Sequence, residues 1–131
     1  MRNTNIFIYL IFISCFSSCF LQRGNAQSKK EINISLIKGK WTSVNDSSIS
    51  IRFFENEYVE YLNNEELFKT KYFLVDSCLT SLPKIISNKG EKIIYEDKGD
   101  IICISIKYLS KNQLSLLFEN FGKLVSYKKS F

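Results

Sequence analysis

Few side chains in this 131-residue chain could do chemistry, and their spacing narrows which chemistry is open to it. Histidine is absent, so the commonest general base and the commonest metal ligand are both missing. Two cysteines, Cys78 and Cys103, stand alone in the body of the chain. In an oxidising compartment such an isolated pair is a disulfide candidate, worth roughly 3–4 kcal/mol by loop-closure entropy. The alternative is two separate buried thiols. Two cysteines without histidine make a metal site unexpected. Glu60 and Asp76 fall at strand positions, with no spacing that marks a catalytic pair. No G-x-S-x-G elbow and no Cys–His pair is present. The expectation is a protein that is not an enzyme and carries no metal or cofactor.

The N-terminus sets the compartment. Arg2 precedes an apolar run from Ile6 to Phe16, extended by Cys19 to Leu21, and the chain then turns polar. A basic start, an apolar core and small residues at Gly24 and Ala26 read as an export signal over residues 1–26. Cleavage after Ala26 is one processing route. The stretch Phe16-Ser17-Ser18-Cys19 also resembles a bacterial lipoprotein box, in which Cys19 is lipidated and becomes the first residue. The apolar core is short for a retained membrane span. The expected address is outside the cytoplasm: periplasm, outer-membrane lipoprotein or secreted. Membrane contact is expected only through such a lipid anchor. Loss of residues 1–26 removes Arg2 and Arg23 and no acid, lowering the formal net charge from +5 to +3. That small excess is scattered along the chain, which argues against a nucleic-acid partner.

The elements that would position any site are short and alternating. Residues 27–38 form a polar leader, with a short helical turn over Glu31 to Lys38 that Gly39 can end. From Lys40 onward the hydrophobic period is two. Ser48 to Phe54 places Ile49, Ile51 and Phe53 on one face. Tyr58 to Leu62 and Leu67 to Val75 follow after turns at Glu55-Asn56 and Asn63-Asn64. Leu82 to Ile86 is a weak strand, demoted by Pro83. Lys92 to Tyr95 leads through Asp97-Lys98-Gly99-Asp100 into Ile101 to Tyr108, where Ile102, Ile104, Ile106 and Tyr108 share a face. Gln113 to Phe118 and Lys123 to Lys129 make a closing hairpin. Eight or nine short strands with one buried side each, and no helices to cover them, must curl up. The expected fold is all-β: an antiparallel up-and-down barrel over residues 39–131, which leaves no unpaired edge. A two-sheet sandwich is the alternative.

The stretch Gly39-Lys40-Trp41 matches the G-x-W of the first strand in lipocalin-like (calycin) proteins, and the serial hairpins up to Leu124-Val125-Ser126-Tyr127-Lys128 support the resemblance. The chain resembles small exported bacterial lipocalin-like domains over most of its length after the signal. The family's second motif, a T-D-Y near the middle, is not evident, and the chain is short for a lipocalin. The resemblance implies that Trp41 plugs one barrel end beneath a basic side chain, worth about 0.5–2 kcal/mol. Lys128, Lys123 and Arg52 are the candidates for that cation, with Gly39 and Trp41 structural.

The inward aromatics Phe53, Tyr61, Phe68, Tyr72, Tyr108 and Phe118 either line a pocket for a small apolar ligand or simply fill the interior. The expected function is therefore an exported barrel that binds a small apolar molecule. The alternative is a solid barrel that serves as an envelope interaction or inhibitor module through its loops.

Overall fold

A computed structural model describes residues 33–87 and 89–131. The expected export signal over residues 1–26, the lipidation candidate Cys19 and leader residues 27–32 lie outside the described residues. One 3₁₀ turn, η1 (Ile34–Ile37), precedes eight strands. They are β1 (Gly39–Ser43), β2 (Ile49–Phe54), β3 (Glu57–Leu62), β4 (Glu65–Val75), β5 (Lys92–Asp97), β6 (Asp100–Leu109), β7 (Gln113–Phe118) and β8 (Lys123–Lys129). Each pairs antiparallel with the next, and β1 pairs with β8, so the sheet is a closed up-and-down barrel and not a sandwich.

Local chemistry produces these turns. Asn63 and Asn64 both adopt positive φ, 51° and 65°, as do Lys98 and Gly99 at 51° and 86°. Two consecutive left-handed residues make the hairpin turn whose twist matches the flanking strands. Asn and Gly tolerate that geometry best. The expected strand over Leu82 to Ile86 does not form: among the described residues, β4 connects to β5 without intervening strand structure. Pro83 has no N–H to give a ladder, and the barrel already closes without it. The returning chain passes tightly over the end of β4. A Cβ on Gly90, at φ 144°, would meet the Val75 backbone at 2.5 Å.

Within the barrel, alternate residues point inward. Trp41, Phe53, Tyr58, Ile93, Ile104, Leu114 and Leu116 are completely buried. Phe53, Tyr58, Tyr72 and Tyr95 form a continuous aromatic cluster, with ring centroids 4.9–5.2 Å apart. Two expected inward residues face elsewhere. The register of β6 on β7 shifts between Ile106 and Tyr108, and beyond that bulge Leu109, paired with Leu114, takes the inward position. Tyr108 is 49% exposed. An extra residue in one strand reverses the alternation that follows it. Tyr61 lies across from Ser50, on the same outer side as Arg52 and Lys40, and Lys40 Nζ stands 5.0 Å from its ring centre.

η1 closes one end of the barrel. Asn33 caps this turn, its Oδ1 accepting from Ser35 N at 3.2 Å. Ile37 is buried, and Trp41 Nε1 donates to its carbonyl at 2.8 Å. The cation over Trp41 is Lys129, with Nζ 4.3 Å from the ring centre and donating to the Lys38 carbonyl. The expected candidates do not fill that role. Lys128 pairs with Thr42 on the outward side of the seam. Lys123 starts β8 at the opposite end. Arg52 lies on the outer surface, 5.9 Å from the Phe54 ring centre and 6.0 Å from that of Tyr61.

Gly39 makes this closure fit. Its φ is 118°, and a Cβ there would come within 2.6 Å of Lys129 Nζ. We expect Gly39→Ala to lower the unfolding free energy by about 1–3 kcal/mol, from backbone strain and displacement of the lysine from Trp41. Urea denaturation checks this, and a change within 0.5 kcal/mol (about the noise of surface substitutions) would contradict it.

Cys78 and Cys103 are disulfide-bonded, with Cα atoms 5.7 Å apart. Cys103 lies opposite Ile94 on the outward side of the β5–β6 pair, so the bond ties the β4–β5 connection to the barrel exterior. Nearby, Lys92 Nζ donates to Ser105 Oγ at 2.6 Å and to Glu119 Oε1 at 3.2 Å. Ser105 Oγ also donates to Glu119. The hydrogen bonds that Glu119 accepts, first from Ser105 and then from Lys92, hold its carboxyl below its ordinary range.

Candidate functional site

The end opposite η1 carries the hairpin turns β1–β2, β3–β4, β5–β6 and β7–β8. It opens into a cavity of about 570 Å³. Its walls include Ile49, Ile51, Tyr58, Phe118, Val125 and Tyr127, and its rim includes Leu62, Leu67, Phe121 and Leu124. The rim is apolar and exposed: Leu67 is 63% exposed, Phe121 70% and Leu124 58%. Leu67 reaches it because the β3–β4 register shifts beside it: Glu60 pairs with Phe68 but Tyr61 with Glu66.

One carboxylate faces this space from a strand. Glu60 sits between fully buried Tyr58, nearer the barrel floor, and exposed Leu62 at the rim. Tyr58 Oη donates to Glu60 Oε1 at 2.8 Å. The ring of Tyr95 stacks on Tyr58 at 4.9 Å. Two other charged residues border the cavity, Lys123 and Asp46, both exposed. Asp46 Oδ1 accepts from Ser48 Oγ at 2.6 Å and from Ser48 N at 3.0 Å, which keeps its carboxyl below the ordinary range. Among the described residues, Glu60 has no ion pair. No group of three or more His, Cys, Asp or Glu side chains stands close enough to hold a metal, again among the described residues.

No protein-family model, curated protein sequence or solved structure matches this chain. What the molecule shows is an eight-stranded antiparallel barrel compatible with a calycin-like fold.

The expected pocket residues divide between three environments. Phe118 lines the cavity, and Tyr61 borders it at the rim. Phe53 and Tyr72 are buried in the filled half of the barrel, their rings 5.2 Å apart. Tyr72 also borders a smaller cleft of about 440 Å³ beside η1. Phe68 packs against Tyr95 at 5.7 Å and against the core. Tyr108 lies outside. The interior is therefore filled near η1 and hollow toward the turns.

Sequence reasoning missed Tyr58, Glu60 and Tyr127. A signal for the first two was present. The Glu55-Asn56 turn pairs Phe53 directly with Tyr58, so an inward Phe53 requires an inward Tyr58, and then an inward Glu60.

Tyrosine burial gives a pH prediction. Burial lifts the hydroxyls of Tyr58, Tyr72, Tyr95 and Tyr127 above the ordinary value of 10.0, and the Glu60 charge adds to this for all but Tyr72. Above that value the unfolded chain loses these protons while the folded chain keeps them. The stability they confer is thus complete below about pH 10 and declines above it, by about 1.4 kcal/mol per pH unit for each tyrosine. Lys129, lowered by burial, acts with the opposite sign but as a single group. We expect the urea midpoint to fall steeply above about pH 10, with the ring resonances of these four tyrosines changing only together with unfolding. Ionisation of Tyr58, Tyr95 or Tyr127 near pH 10 in folded protein, followed by residue-resolved NMR, would contradict it.

Proposed function

We propose that this chain is an exported lipocalin-like barrel that takes up a small molecule with an apolar body through its open end. The observation that carries this is the cavity of about 570 Å³ beneath an exposed apolar rim. Its volume is that of a small-ligand site, where desolvation of apolar surface supplies affinity and a few polar groups fix orientation. The exposed apolar groups at the turns are costly in water unless something covers them. The G-x-W stretch and the basic start at Arg2 support the lipocalin-like and exported parts of the reading.

Native mass spectrometry of protein purified from its producing cells is the direct test. A bound small molecule is expected, with its mass lost from a variant in which Ile51→Trp fills the cavity from the wall. Protein that carries nothing and shows no shift of cavity resonances with any apolar probe would favour an interaction module working through its loops.

A further inference from the structure

The cavity holds a polar feature that an apolar container does not need. Glu60 projects from β3 at mid-depth, one inward position above Tyr58 and one below rim residue Leu62. Tyr58 occupies one acceptor site of its carboxylate. An ionised carboxylate has about four such sites, so most of its capacity remains for a ligand. No lysine or arginine pairs with it among the described residues. Lys123 borders the same cavity from the exposed start of β8, without forming an ion pair there. Two aromatic rings, Tyr127 and Phe118, share the wall with Tyr58.

A carboxylate that shares its cavity with the Phe118 ring and, among the described residues, has no lysine or arginine within ion-pair distance matches one chemistry well. An ammonium group donates hydrogen bonds to carboxylate oxygens and is attracted to ring faces. A neutral head would use the hydrogen bond but not the charge, and an anionic head would be repelled.

We propose that the occupant of this cavity is an amphiphilic organic cation, its ammonium head on Glu60 and its apolar body directed to the rim. The head is held by Glu60, in the same cavity as the partly exposed ring of Phe118. The body leaves through Leu62, Leu67, Phe121 and Leu124. This rests on the reading of the cavity as a ligand site, and its test separates the two.

The experiment compares octylammonium, 1-octanol and octanoate, the two ions below their micelle concentrations and the alcohol below its solubility limit, by isothermal titration calorimetry against the purified chain. The tail is constant and only the head changes. Octylammonium is expected to bind about tenfold or more tighter than 1-octanol, with octanoate weakest. Glu60→Gln retains an acceptor for Tyr58 and should bring octylammonium to within about threefold of the alcohol. Equal binding of all three heads, or octylammonium binding that Glu60→Gln leaves unchanged, would overturn the cation assignment and leave the apolar site standing. Absence of binding by all three would overturn both. The head-group comparison on the unsubstituted chain decides the matter even if the variant fails to fold.

Discussion

Trp41→Ala should lower the unfolding free energy by about 4 kcal/mol or more, the largest effect expected of any single substitution in this chain. Trp41 is fully buried at the closed end, and its removal deletes three interactions together. Its ring volume vanishes from the packed floor, a change that costs about 3–5 kcal/mol in well-packed cores. The Ile37 carbonyl loses the donor 2.8 Å away. Lys129 loses the ring over which its ammonium sits. Trp41→Phe separates these terms. It keeps much of the volume and an aromatic face, loses the hydrogen bond, and should cost about 1–2 kcal/mol. Equilibrium urea denaturation followed by circular dichroism is the measurement, because fluorescence loses its only tryptophan in both variants. A loss below about 1 kcal/mol for the alanine variant would mean that the floor does not hold the barrel together.

Breaking the Cys78–Cys103 bond should have the second-largest effect, roughly 3–4 kcal/mol. The bond closes a loop of 25 residues, and the estimate is the conformational freedom that the unfolded chain regains without it. Much of a typical domain's stability, about 5–15 kcal/mol, would go with it. Because Cys103 points outward from β6, the cavity walls do not depend on the bond. A Cys78→Ala/Cys103→Ala variant should therefore unfold at lower urea while matching the parent in the proposed binding of octylammonium at temperatures where it remains folded. Parallel loss of affinity would show that the β4–β5 connection shapes the cavity after all.

Much of this architecture is legible in the amino-acid sequence. Period-two alternation over Ser48 to Phe54 and Ile101 to Ile106, with turn residues between, placed the strands and the closing hairpin. A scarcity of helical pattern left closure as the way to hide the two edges of the sheet. What alternation cannot show is where it slips. The bulge between Ile106 and Tyr108 turned one expected inward tyrosine to solvent. The candidates for the cation over Trp41 are Lys128, Lys123 and Arg52, and the residue that fills the role is Lys129, one beyond Lys128, because neighbours in a strand face opposite ways. Glu60 was read as an ordinary strand acid. Its significance arises from depth inside a closed sheet, which depends on pairing partners far away in the chain and on no local pattern.

The seam between β1 and β8 sets a time scale. Every other strand pair forms between neighbours in sequence, most of them joined by short turns. The seam instead joins positions such as Thr42 and Ser130, separated by 88 residues. Loop closure of that length comes late, once the hairpins have shortened the path between the ends. Interactions made after the rate-limiting barrier leave folding rates nearly unchanged and retard unfolding. Trp41 and Lys129 face each other across this seam. They act as a latch, governing how long a formed barrel lasts more than how fast it forms, and they do so from its floor, at the end opposite the exposed apolar rim.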